Sequence, residues 1–133
     1  MEMEIRQQEV SAADRESIER AATDYIEAWL TADVERMADC LHPALTKRAI
    51  DIDPASGRHS VDAMTHRDMV DATRTARGKK LARDYEVTIL DVFRNVATSR
   101  VDSAGYVDYL HIGRFEDRWR IVNVLWEPRT RGA

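Results

Sequence analysis

Tyr106-Val107-Asp108-Tyr109-Leu110-His111-Ile112-Gly113-Arg114-Phe115, then Glu116-Asp117-Arg118, then Trp119-Arg120-Ile121-Val122-Asn123-Val124-Leu125-Trp126 is the stretch that decides the fold. Both long runs are rich in β-branched and aromatic side chains, which suit a pleated, half-buried surface. The three residues between them are short enough for a hairpin. Upstream the same texture recurs at 85–93 and 96–102. Arg94-Asn95 and Ser103-Ala104-Gly105 supply the connections. Four consecutive strands joined this way predict an antiparallel meander.

Toward the N-terminus the period changes. Between Asp14 and Thr31, Ile18, Ala22, Tyr25 and Trp29 fall on one helical face, flanked by Ala21, Ile26 and Leu30. Arg20, Thr23, Asp24 and Glu27 take the other side, the pattern of an amphipathic helix. Ser11 is placed to accept a free N–H at its start. Asp33 caps a shorter helix carrying Val34, Met37, Ala38 and Leu41, which Pro43 stops. A strand is expected at 44–52 and a loop at Asp53-Pro54-Ala55-Ser56-Gly57. A third helix is expected from Ser60 to about Arg74, with Val61, Thr65, Met69, Ala72 and Ala76 on one face. Helices first and strands after give an α+β fold rather than a parallel α/β sheet. Residues 1–13 read as a flexible arm, 14–128 as one domain and 129–133 as a tail.

With 133 residues, 44 % hydrophobic and 33 % charged, the chain is long enough for one unstapled core and is too apolar for disorder. A net charge of −4 gives no reason to expect nucleic acid. The basic run Arg77-Gly78-Lys79-Lys80 reads as a solvated loop. Cys40 is the one cysteine, so no internal disulfide forms and nothing argues for an oxidising compartment. No apolar run approaches the roughly 18 residues that suggest a membrane span. The acidic, polar start is unlike a secretory signal. A cytoplasmic protein without membrane contact is expected.

Tyr25-Ile26-Glu27-Ala28-Trp29, then Asp33 opening a helix, then Leu41-His42-Pro43 resembles the opening of the nuclear transport factor 2-like (SnoaL-like) superfamily. Val107-Asp108-Tyr109-Leu110-His111 with Trp119-Arg120-Ile121-Val122-Asn123-Val124-Leu125-Trp126-Glu127 resembles its branch labelled "putative lumazine-binding". The resemblance covers roughly 14–128. It implies a cone: three N-terminal helices packed against a strongly curved antiparallel sheet, with an apolar cavity between them. Members often carry glycine in the last hairpin where this chain has Asp117, a residue that tolerates left-handed angles.

Enzymes of that superfamily typically pair a carboxylate or histidine base with a tyrosine or carboxylic acid donor, as in ketosteroid isomerase. His111 and Asp108 are the acid–base candidates here. An imidazole titrates near neutrality, and a carboxyl turned into an apolar cavity has its pKa raised. The helices offer Tyr25, Trp29, His66 and Met69 as ligand contacts. The last strands add Tyr109, Asn123 and Leu125.

Which strand residues face the cavity depends on the last turn. With a two-residue turn, Tyr106, Asp108, Leu110 and Ile112 share a face with Ile121, Asn123, Leu125 and Glu127. With a three-residue loop, Tyr109 and His111 join Asn123. Both registers remain open on sequence. His42 reads as a helix-end residue, and Arg48 and Arg100 could neutralise an acidic ligand. Metal-ligand spacing, phosphate loops, dinucleotide fingerprints and serine elbows are missing, so no metal or cofactor is expected. Cys40 has no recognisable partner for nucleophilic chemistry.

Two functions follow. One is a protein binding a cyclic or aromatic ligand, pterin-like or polyketide- or steroid-like, with proton transfer of isomerase or dehydratase type. The other is a non-catalytic homodimer joined through the outer sheet face. Ile121 and Leu125 lie on one side of the last strand, with Val122, Val124 and Trp126 on the other. Two apolar faces need two covers.

Overall fold

A computed structural model describes residues 10–130. Helix α1 is Ala12–Thr31, α2 is Val34–Cys40 and α3 is His66–Arg74. The strands are β1 Leu41–Ile52, β2 His59–Thr65, β3 Tyr85–Phe93, β4 Val96–Ser103, β5 Tyr106–Phe115 and β6 Arg118–Pro128. They form one sheet in the order β2-β1-β6-β5-β4-β3. The fold is α+β with three helices on one side of a six-stranded, mostly antiparallel sheet. The β1–β6 pair alone is parallel. The expected arm lies largely among residues 1–9 and the end of the expected tail in 131–133, outside the described residues.

Local chemistry explains the helix ends. The Ser11 hydroxyl accepts from the Asp14 N–H at 3.0 Å, so α1 begins where the short polar side chain stands. Ala32 takes a left-handed conformation at φ 56° and ends the helix. One residue on, the Asp33 carboxylate accepts from the Arg36 N–H at 3.1 Å and starts α2. Pro43 falls inside β1, where the register against β6 shifts between Leu41 and Thr46. A residue without an N–H interrupts the ladder at that place.

The third helix begins later than expected. Residues 59–65 form β2, and the sheet has six strands, not five. The Asp53 carboxylate accepts from the Ser56 N–H at 3.1 Å, and Gly57 supplies the left-handed residue at φ 71°. Together they turn the chain back so that Ile52 pairs with His59 and Thr46 with Thr65. β2 is an edge strand exposed along almost its whole length, with Val61 59 % exposed. It therefore shows no apolar alternation for the eye to find. The true helix start is a reciprocal capping box: Thr65 accepts from Asp68, and Asp68 accepts from Thr65.

Ile18, Ile26 and Leu30 of α1 join Leu110, Ile112 and Ile121 of the sheet in the buried apolar core. Each such side chain contributes about 1.5–3 kcal/mol on burial. α1 packs across β3 to β6, and α3 across β1 and β2, so every strand has a helix over it.

The last hairpin combines both registers left open by the sequence. Its turn has two residues, with Phe115 opposite Arg118 and Ile112 opposite Ile121. Beyond that, His111 pairs with Asn123, and Val122 is left without a partner in the ladder. This β-bulge inserts one residue and exchanges the faces of everything after it. Ile121, Val124 and Trp126 therefore point inward with Asp108 and Leu110, while Asn123 and Leu125 point outward with His111 and Tyr109. The expected grouping of Ile121 with Leu125, and of Trp126 with the opposite side, is corrected accordingly. At the turn, Glu116 holds the positive φ of 60° and Asp117 does not.

Candidate functional site

The cavity lies between α1 and the inner face of the sheet. Tyr25, Ile26 and Trp29 come from one face of α1, a turn apart. Met69 and Ala72 come from α3, and Asp108 and Trp126 from the inward rows of β5 and β6. Met64, Tyr106 and Arg77 complete the rim, where exposure rises. Tyr106 and Trp126 meet edge to face there, with ring centroids 5.2 Å apart. The open space is about 240 Å³. Drug-sized sites begin at about 300 Å³, so the ligand that fits is small.

Lys47 occupies the centre. In β1 the inward row runs Leu45, Lys47, Ala49, and the lysine is only 8 % exposed. Its ammonium donates to the Tyr25 hydroxyl at 2.7 Å. That hydroxyl donates in turn to Asp108 Oδ1 at 3.1 Å. Tyr25 and Asp108 are each 2 % exposed. Three elements distant in sequence thus supply one buried chain, Lys47–Tyr25–Asp108. The Lys47 nitrogen also lies 5.0 Å from the Trp126 ring centroid, a distance at which a ring face attracts a cation.

Burial decides the electrostatics. It pushes the Asp108 carboxyl above the ordinary carboxylate range, against the opposing pull of Lys47 and the Tyr25 hydrogen bond. It pulls the Lys47 amine below its ordinary value, against the attraction of Asp108, and Arg77 adds to the lowering. Mutual attraction alone would move both groups the other way. Desolvation therefore outweighs pairing, and the neutral forms gain at both ends of the chain. Tyr25 is raised well above its ordinary value, by burial first and by Asp108 second.

Of the residues expected from sequence, Tyr25, Trp29, Met69 and Asp108 come together at the cavity. His111, Tyr109, Asn123 and Leu125 do not: alternation along β5 puts Tyr109 and His111 on the outer face, and the bulge at Val122 puts Asn123 and Leu125 there with them. There Asn123 Nδ2 lies 3.4 Å from His111 Nδ1, and Leu125 is 48 % exposed. His66 is also away from the cavity. Its Nε2 lies 2.9 Å from the Ala38 carbonyl and ties α3 to α2. His42 Nδ1 accepts from the Ala44 N–H at 3.0 Å, and its ring lies against Phe115. Arg100 is held by Asp102 through two hydrogen bonds, at 2.7 and 2.9 Å. Burial pushes the Cys40 thiol well above its ordinary value, which removes it as a nucleophile at neutral pH. Among the described residues, no group of three or more His, Cys, Asp or Glu could hold a metal ion. No helix among them is long and apolar enough to cross a membrane.

The sequence reading missed Lys47, Arg77, Met64, Tyr106 and Trp126. For Lys47 a signal existed. Period two along β1 sets it in line with Leu45 and Ala49, and a lysine in an apolar row is either an error of register or a functional group.

Comparison with known proteins agrees with this architecture. Among solved structures, an NTF2-like protein from Methylobacillus flagellatus KT superposes with a TM-score of 0.71 at 18% identity, over 93% of this chain and 98% of that one. An NTF2-like protein from Shewanella baltica OS155 gives a TM-score of 0.69 at 14% identity, over 93% of this chain and 100% of that one. A ketosteroid isomerase-like protein from Erwinia carotovora atroseptica SCRI1043 gives 0.61 at 14% identity, over 91% and 100%. Identities this low speak to fold alone. No curated protein matches the chain. The family model described as "Putative lumazine-binding" matches residues 13–127, from the start of α1 into the end of β6, and the chain belongs to that family.

Proposed function

We propose that the chain binds a small, flat ring compound of pterin or lumazine type in the cavity, and that Lys47, Tyr25 and Asp108 orient it and exchange a proton with it. The observation that carries this reading is the buried hydrogen-bonded chain of three titratable groups inside an aromatic-lined space of about 240 Å³. Perturbed titratable groups inside an apolar pocket are the usual mark of a ligand or catalytic site. The size of the space favours a one- or two-ring ligand over a steroid or polyketide. The proton acceptor or donor assigned to this chemistry is Asp108, with Tyr25 as its hydrogen-bonding neighbour, and not His111. A thermal-shift screen of lumazine, pterin and a steroid, followed by calorimetry with Asp108→Asn and Lys47→Met, tests it. Binding of the two-ring compounds that weakens at least about tenfold in both variants supports the reading. Binding indifferent to both overturns it.

A second reading concerns the outer sheet face and is compatible with the first. Phe93, Val96, Tyr109 and Leu125 stand on that face between 43 % and 59 % exposed. Two exposed apolar pairs, Phe93–Val96 and Tyr109–Leu125, on the sheet face that no helix covers fit a homodimer with the twofold axis through β5 and β6. Sedimentation at micromolar concentration reads it directly: a dimer supports it and a monomer excludes it.

A further inference from the structure

Lys47 is placed for a chemistry that binding alone does not use. The chain has three lysines, Lys47, Lys79 and Lys80. The last two lie exposed in the 3₁₀ turn Arg77–Lys80. Lys47 instead points its nitrogen into the cavity, 2.7 Å from a phenol that hands on to a carboxyl. Arginine, which outnumbers lysine more than fivefold in this sequence, would supply a fixed positive charge. A lysine amine can also give up its proton and attack carbon.

We propose that Lys47 captures a small aromatic aldehyde or ketone in the cavity as a protonated imine, with Tyr25 and Asp108 moving the protons. This rests on the reading of the cavity as a ligand site. The steps balance within the groups present. The Lys47 ammonium gives a proton to the Tyr25 oxygen as the Tyr25 hydroxyl gives its own to Asp108, which leaves a free amine and a neutral carboxyl. The amine adds to the carbonyl carbon. A proton passes from nitrogen to oxygen to give a carbinolamine. Asp108 then returns its proton through Tyr25 to the carbinolamine hydroxyl, and water leaves as the C=N bond forms. The sum is ammonium plus carbonyl giving iminium plus water, with Asp108 again a carboxylate beside a cation.

The surroundings suit both ends of that sequence. Desolvation favours the free amine at the start, as for lysines buried in apolar sites. The rings of Trp126 and Trp29, at 5.0 and 6.0 Å from Nζ, stand beside the iminium charge at the end. The charged and titratable groups around the amine are Tyr25 on α1, Asp108 on β5 and Arg77 at the rim. Met69 on α3 adds a sulfur at 3.6 Å. The remaining residues of the lining, Ile26, Trp29, Met64, Ala72, Tyr106 and Trp126, are apolar or aromatic, so water that would hydrolyse the product has few polar holds.

The test is reductive trapping on the full chain. The protein is incubated at about pH 6.5 with benzaldehyde and sodium cyanoborohydride, digested, and mapped by mass spectrometry. Burial favours the free amine of Lys47, and the cavity holds the aldehyde beside it. The Lys47 peptide is therefore expected to carry the benzyl adduct severalfold faster than the peptide holding Lys79 and Lys80. Lys47→Arg, which keeps a cation at the position, is expected to abolish that adduct alone. Labelling of Lys79 and Lys80 with Lys47 untouched overturns the proposal. A lumazine thermal shift, run in parallel, separates the two claims. Lumazine bound with Lys47 unlabelled removes the imine and leaves the cavity reading in place; neither bound nor labelled removes both.

Discussion

The hydroxyl of Tyr25 donates to Asp108, 83 residues away along the chain, at 3.1 Å in a site where both are buried. The bond fastens the middle of α1 to the inner face of β5. Tyr25→Phe keeps the ring and its packing but leaves Asp108 without this donor and Lys47 without its oxygen acceptor, with only the Met69 sulfur at 3.6 Å. A buried polar group stripped of its partner costs about 1–3 kcal/mol. The variant is expected to unfold at lower urea concentration by a free energy in that range, with an unchanged slope. A midpoint equal to that of the unaltered chain would show that the bond contributes nothing to the fold.

Asp108 also sets a pH dependence whose sign follows from its burial. Its native pKa is raised, chiefly by desolvation. The folded state therefore holds the proton at pH values where the unfolded chain has released it. Stability from this group is fully present below the ordinary carboxylate pKa and is lost as pH rises through the native value. Asp108→Asn resembles the protonated form and has no proton to lose. The stability of the unaltered chain minus that of the variant is thus expected to fall from about pH 4 upward. Chemical denaturation at a series of pH values reads this difference. A difference that grows with pH would mean that the Lys47 ion pair, not desolvation, governs the site.

How much of this was legible in the sequence can be followed residue by residue. The helix that carries Tyr25 and Trp29 shows its face through period 3.6, and the late strands show theirs through β-branched and aromatic runs. The family resemblance lay in the same segments. What period two could not show was the bulge. One extra residue, Val122, reverses the faces beyond it, so Asn123 and Leu125 leave the cavity and Trp126 enters it. Hairpin length and bulge produce the same pattern of letters, and only the ladder distinguishes them. β2 was illegible for a different reason: an exposed edge strand has no buried row to alternate with. Asp108 was legible as a candidate but its face was not: the open register allowed either Asp108 or Tyr109 and His111 inward, and the ladder places Asp108 with Leu110 on the buried face. Lys47 is legible in principle, in line with Leu45 and Ala49, but lysine is so rarely an inward residue that period two alone does not single it out.

Gly78 presses against Trp29, which lines the cavity, and stands next to Arg77 at its rim. A Cβ added at Gly78 would stand 2.2 Å from the Trp29 carbonyl oxygen and 2.8 Å from two atoms of its indole ring. The oxygen is backbone and cannot rotate away. Gly78→Ala must therefore lift the turn off α1, and overpacking of this kind costs about 1–3 kcal/mol. Arg77, whose guanidinium lies 5.7 Å from the Trp29 ring centroid, moves with it. The expected result is a lower melting temperature together with weaker ligand binding. Full stability in Gly78→Ala would show that the turn is free to shift without cost.

Leu125 tests the outer face independently of the cavity. Its side chain lies on β6 opposite Tyr109 of β5, 48 % exposed, and makes no contribution to the cavity wall. A carboxylate placed there meets water in a monomer and an apolar surface in a dimer. In a twofold assembly the substitution is introduced twice across one interface, so its cost is doubled by symmetry. Leu125→Glu is expected to convert a dimer to monomers in sedimentation velocity while leaving the lumazine thermal shift of each protomer intact. Monomers in both chains would remove the dimer reading. A dimer that survives the substitution would move the interface away from β5 and β6. Loss of ligand binding along with the dimer would instead tie the cavity's shape to the partner, through the bulge that sets Leu125 outward and Trp126 inward on adjacent positions of the same strand.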